Sequence, residues 1–151
     1  MLKLSKKTDY AIILLTHLGE EEVPVSAQEV AKHYKLPYPM VANILKQLVS
    51  SGLIESIRGK HGGYVLAKPT DEINLAEIIM VTDSPFNLVE CVHDEDNCKV
   101  HQYCPTRRPL LALHKKIQQF VEETTLAAII SDSKPINLTL KESSYETAYL
   151  S

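Results

Sequence analysis

The chain has 151 residues, 44% hydrophobic and 23% charged, with a formal net charge of −3, which suits one domain, or a small domain plus an appendage, able to bury a core. Its longest apolar run, Ala11 to Leu15, is far too short to cross a bilayer, and no signal-peptide core follows the N-terminus, so the expectation is a cytoplasmic protein without membrane contact. The charge is unevenly placed: residues 1–68 carry a net +3 and residues 69–151 a net −6, an asymmetry that points to a basic, nucleic-acid-binding half.

Ser5 is the expected N-cap of a first helix, in which Tyr10, Ile13, Leu14, His17 and Leu18 recur at helical spacing until Gly19 and Glu20-Glu21-Glu22 end it. Ser26-Ala27-Gln28-Glu29 has the pattern of a capping box and opens a second helix with Ala27, Val30, Ala31 and Tyr34 inward. A short connection, Lys35 to Tyr38, leads to a third helix. Pro39 fits its first turn, Val41, Ile44, Leu45, Leu48 and Val49 form its apolar stripe, and Gly52 suits its C-terminal cap. Two β-like runs, Leu53 to Arg58 and Tyr64 to Leu66, flank Gly59-Lys60-His61-Gly62-Gly63 and predict a hairpin with a basic, glycine-rich tip. This order of elements is that of a winged helix-turn-helix.

Pro69-Thr70 breaks the chain. Asn74, with Glu77 three residues on, caps a short helix with Leu75, Ile78 and Ile79 on its apolar face. Residues 83–106 are weakly periodic and hold all three cysteines, and loops of this length are uncommon without a function. A long helix is expected from Arg107 to Thr124, with Leu110, Leu113, Ile117, Phe120, Val121 and Thr124 along one face; Thr125 caps a last short helix from Leu126 to Ile130. The remainder, residues 131–151, is polar and reads as a flexible tail. The fold class is mainly α with a small β-hairpin wing. Its expected divisions are a winged-helix domain (1–68), a connecting helix and cysteine loop (69–106), a long helix with a short terminal one (107–130), and the tail.

Two constellations carry chemistry. A recognition helix reads base edges from its exposed N-terminal residues, here Pro37, Tyr38, Pro39, Met40, Ala42 and Asn43, with Lys46 further along. Asn43 suits an adenine edge and Met40 a thymine methyl. Arg58, Lys60 and His61 lie on the wing, beside glycines that let backbone approach a phosphate or a minor groove. The competing readings are a solvated helix face beside an ordinary hairpin, or a winged helix that docks protein. The second constellation is Cys91-x6-Cys98-x5-Cys104. Thiolates are soft ligands suited to iron–sulfur clusters and zinc; the alternative is three unrelated thiols. No nucleophile–base motif points to an enzyme.

Leu4-Ser5-Lys6-Lys7-Thr8-Asp9-Tyr10-Ala11, the wing run Ile57 to Ala67, the cysteines from Glu90-Cys91 onward, and Thr125-Leu126-Ala127 together resemble the Rrf2 family of winged-helix transcription regulators. The resemblance covers about residues 1–130, and the opening residues look most like those of the regulators of SUF-type iron–sulfur assembly. It implies a homodimer paired through the long helix, with Leu110, Leu113, Ile117, Phe120 and Val121 in the seam. It also implies a 2Fe-2S or 4Fe-4S iron–sulfur cluster held by Cys91, Cys98 and Cys104. A histidine ligand found in cluster-biogenesis relatives falls here on Arg107, which cannot bind iron. Nitric-oxide-sensing relatives use an aspartate of the partner's first helix, and Asp9 matches that position. Its other reading is a first-turn acid favoured by the helix dipole, which would leave the fourth position to His93, His101, Glu90 or an exogenous ligand. The expected function is a sequence-specific regulator of a palindromic double-stranded DNA operator, controlled by its cluster and acting on cluster-assembly genes. The alternatives are a cluster-free cysteine redox sensor or a nitric-oxide-responsive repressor.

Overall fold

Ser5 starts the fold as expected. Its side-chain oxygen accepts from the Thr8 N–H at 3.1 Å and caps α1, Lys6–Glu20, in a computed structural model that describes residues 3–89, 100 and 103–131. Cys91, Cys98, His93, His101, Glu90 and residues 132–151 lie outside the described residues. Ser26 and Glu29 close their capping box at the head of α2, Ala27–His33. Pro37 is the N-cap of α3, Tyr38–Ser50, and Pro39 lies in its first turn.

The turn between α2 and α3 fixes the angle between them. The Leu36 N–H donates to the Ala31 carbonyl at 2.8 Å and Lys35 sits at φ 54°. This is a Schellman termination with lysine where glycine is usual. Nothing in the lysine signals it. At the end of α3 the same motif recurs with the expected residue. Gly52 takes φ 78°, its N–H donates to Val49, and the Leu53 N–H donates to Leu48 at 3.1 Å.

The hairpin pairs β1, Ile54–Ile57, with β2, Gly63–Leu66, antiparallel, Ile54 opposite Leu66 and Ile57 opposite Gly63. A third contact was not legible in the sequence. Val25 and Tyr64 exchange backbone hydrogen bonds at 3.1 and 2.8 Å, so the loop before α2 braces the wing. Gly63 makes that approach possible: a Cβ there would lie 2.6 Å from the Val25 carbonyl oxygen.

A 3-10 turn at Thr70–Glu72 precedes α4, Leu75–Thr82, capped reciprocally by Asn74 and Glu77. Then come α5, Arg107–Glu123, and α6, Leu126–Ser131, whose entry is capped by the Thr125 hydroxyl accepting from the Ala128 N–H. The chain after α5 returns to the start of α4. The Leu75 N–H donates to Thr124 at 2.8 Å and the Leu126 N–H donates to Ile73 at 2.7 Å.

This return seats α6 on α1 and changes which face of α1 is buried. Thr8, Ala11, Leu14, Leu15 and Leu18 are buried, whereas Tyr10, Ile13 and His17 of the expected stripe are half-buried. The helix packs on α3, α4 and β2 as well as on α6. A helix covered from several sides has no single apolar stripe to read. The core joins Leu14, Leu15, Val41, Ile44, Leu45, Leu48, Leu53 and Ile54 to Ile73, Ile78 and Leu126. Each such side chain contributes roughly 1.5–3 kcal/mol when fully buried. Among the described residues, no helix is long and apolar enough to cross a membrane.

Candidate nucleic-acid interface and cysteine segment

The apolar side of α3 is locked into the core, which turns its other side outward. Pro37, Tyr38, Pro39, Met40, Asn43 and Lys46 are exposed, Tyr38 at 49% and Met40 at 38%. Ala42 is half-buried. No side chain caps the start of α3, so the tyrosine, methionine and asparagine project from a helix end unobstructed by its own cap. One turn on, the Gln47 amide nitrogen donates to the Asn43 carbonyl oxygen at 3.4 Å. A contact that long is weak, and an amide oxygen with two lone pairs can still accept from a base edge beside it. Gln47 lies off the apolar stripe with Asn43 but outside the expected base-reading set. The i, i+4 spacing on a helix was the available signal.

On the wing, Arg58, Lys60 and His61 are all exposed, around the turn from Ile57 to Gly63. The adjoining glycines serve the hairpin itself. A Cβ at Gly62 would strike the Ile57 carbonyl oxygen, and one at Gly63 the Val25 backbone. The wing is therefore a basic finger with close backbone packing at Gly62 and Gly63, braced at its base by the Val25–Tyr64 pair. It stands on the same winged unit as the outward side of α3.

Of the candidate ligands, Cys104 and Asp9 are described. Cys104 is half-buried just before α5, its sulfur 3.4 Å from the Thr106 hydroxyl oxygen. That side-chain hydrogen bond, the Thr106 backbone and the Arg107 charge hold its thiol below the ordinary cysteine value. Asp9 is exposed in the first turn of α1. Among the described residues no three His, Cys, Asp or Glu side chains form a ready metal-binding group; Cys91 and Cys98 lie outside them.

The long helix shows a division of faces. His114 is buried, stacks on Phe86 at a 5.6 Å centroid distance, and accepts the Leu88 N–H at its Nδ1. Its proton must then lie on Nε2. This histidine, missed in the sequence, ties the stretch just before the cysteines to α5. Val121 turns the same way and lines a cavity with Ile79 and Met80 of α4. Leu113 at 46% and Phe120 at 43% stay exposed, and Leu110 and Ile117 are half-buried.

A helix-turn-helix braced by a basic hairpin wing, followed by a long helix with apolar side chains left uncovered, defines a winged-helix transcription regulator. The chain belongs to the Rrf2 family, described as iron-dependent transcriptional regulators, which it matches over residues 4–132. It is 31% identical over 147 residues to the HTH-type transcriptional regulator NsrR of Geobacillus kaustophilus, covering 93% of this chain and 98% of that one. Its fold is similar to that of CymR, the global cysteine regulator of Bacillus subtilis, with a TM-score of 0.70 at 27% identity over 87% of this chain and 98% of the other. It is similar also to IscR of T. potens, with a TM-score of 0.69 at 26% identity over 88% and 89% of the two chains.

Proposed function

We propose that the protein is a homodimeric, sequence-specific DNA-binding regulator whose operator affinity is set by an iron–sulfur cluster, and that it governs genes of cluster assembly. The observation that carries the DNA-binding part is the shared exposure of Tyr38, Met40, Asn43 and Lys46 on α3 and of Arg58, Lys60 and His61 on the wing. The helix enters the major groove, and the basic tip lies on the backbone or in the adjacent minor groove. Two copies joined through Leu110, Leu113, Ile117 and Phe120 present two such units to a palindrome, with Val121 at the border between the seam and α4.

Cys91, Cys98 and Cys104 are the residues that would hold the cluster, with Asp9 of the partner subunit as the fourth ligand. The donor set fits, because thiolates suit cluster iron and Cys104 is biased toward its thiolate. When bound, the cluster supplies a redox- and nitric-oxide-sensitive tie. The His114–Leu88 hydrogen bond and the Phe86 stack join the stretch before Cys91 to the long helix.

A thiol held below its ordinary pKa also suits one other reading, a cluster-free cysteine sensor that forms reversible disulfides. Anaerobic purification decides between them. Brown protein with iron and sulfide, and operator footprints that change when the cluster is removed, are the expected result. Colourless protein whose footprint follows oxidant alone establishes the thiol sensor. No salt-sensitive affinity for any duplex would reject DNA binding.

A further inference from the structure

The junction of α4 and α5 holds a cavity that neither DNA binding nor the cysteines use. It measures about 120 Å³, and Ala76, Ile79, Met80, Phe86 and Val121 form its apolar walls. His114 lines it as well. That side chain is only 7% exposed. Its Nδ1 accepts the Leu88 N–H, so its proton lies on Nε2. Among the described residues no group accepts from that Nε2–H. A buried donor without a partner is costly, and the space beside this one is where an acceptor can stand.

We propose that this cavity is a binding site for a small neutral molecule with one aromatic ring and one hydroxyl, of the size of phenol. An apolar cavity of about 150 Å³ holds benzene, and this one is of the same class. The walls suit a ring, because Phe86 is aromatic and Met80 brings a polarizable thioether. The hydroxyl oxygen accepts from His114 Nε2. Its proton suits the Glu122 carboxylate, which lies on the exposed side of the cavity. Gln118 donates to one Glu122 oxygen at 3.0 Å and leaves the other for it. No Lys or Arg lines the space, so an anionic ligand finds no counter-charge there.

The donor is held in place before any ligand arrives. The His114 and Phe86 rings stack with planes 7° apart, and the Leu88 N–H fixes the other ring nitrogen. The position of the cavity suits an effector. α4 packs on α1 and α3 as well as on α5. An occupant therefore stands where the long helix, the stretch before the cysteines and a helix behind the recognition helix meet.

Phenol, titrated into the full chain with methyl-labelled methionine and followed by NMR, tests this. The chain has three methionines, Met1, Met40 and Met80. The expected result is a saturable ring-current shift at Met80, with Met40 on the exposed side of α3 unmoved. Ala76→Leu fills the cavity and should abolish that shift. His114→Phe keeps a ring against Phe86 but removes the donor. Its preference for phenol over toluene should fall about tenfold relative to the unaltered chain, the effect of one lost hydrogen bond. Ala76 is only half-buried, so its variant remains informative even if His114→Phe fails to fold. No shift at Met80, equal shifts at all three methionines, a shift that survives Ala76→Leu, or an unchanged preference in His114→Phe would each overturn the site.

Discussion

The hydroxyl oxygens of Thr8 and Thr82 lie 2.8 Å apart in the core, joining the first turn of α1 to the last turn of α4. Thr82 also donates its proton to the Ile78 carbonyl at 2.8 Å, so Thr8 is the donor between them. Ser5 in turn stands 3.0 Å from the Thr8 oxygen and supplies a proton to it. A chain of three hydroxyls therefore ends on a helix carbonyl. It positions the turn that also carries Asp9.

Thr82→Val removes the acceptor for a buried hydroxyl. It should cost about 1–3 kcal/mol, read from urea unfolding followed by circular dichroism. The double variant Thr8→Val/Thr82→Val should cost less than the sum of the two singles, because neither partner is then left alone. Strict additivity would show that the pair is not coupled.

Replacing Lys60 with Ala should weaken binding to all duplexes alike and lower the salt slope by about one unit, as loss of a phosphate contact does. Asn43→Ala should instead relax preference at one operator position by about 1–3 kcal/mol. Competition footprinting over substituted operators checks both. Equal loss on every sequence from Asn43→Ala would remove it from the reading surface.

Ile117→Asp places a charge in the proposed seam of α5. The unpaired carboxylate should cost several kcal/mol on association and shift the chain to monomer in sedimentation velocity at micromolar concentration. Val121→Asp should act differently, since that side chain lines the cavity against α4, and should lower the stability of the monomer as well. A dimeric Ile117→Asp protein would move the seam elsewhere.

Cys104 should react with iodoacetamide at a lower pH than an ordinary thiol, in a chain where Cys91 and Cys98 are serine. The direction follows from the depressed pKa. More of the group is thiolate at neutral pH, and the reactive form is lost only as pH falls through the lowered value. Thr106→Ala removes the leading cause and should move the midpoint of the rate profile upward. An unmoved midpoint would show that the Thr106 hydroxyl does not hold the thiolate.

Local rules determined much of this molecule. Ser5, Ser26 and Asn74 are caps because their short polar side chains reach a backbone N–H three residues on. Gly52 ends α3 because only its left-handed conformation is free of a Cβ penalty. The apolar stripe of α3 fixed which of its residues face outward, and the basic tip between two β-like runs fixed the wing. The resemblance to the Rrf2 family was legible in the same short motifs.

Contacts between distant segments had to await the tertiary structure. Val25 bracing Tyr64, the return of Thr124 to Leu75, the Thr8–Thr82 pair and His114 under Phe86 each join residues whose local patterns carry no record of the partner. The burial of α1 on several sides and the turn of Val121 toward α4 follow from the same cause. Helical periodicity reports that a face is apolar, whereas which neighbour covers it is settled only when loops bring two surfaces together and their side chains compete for one space.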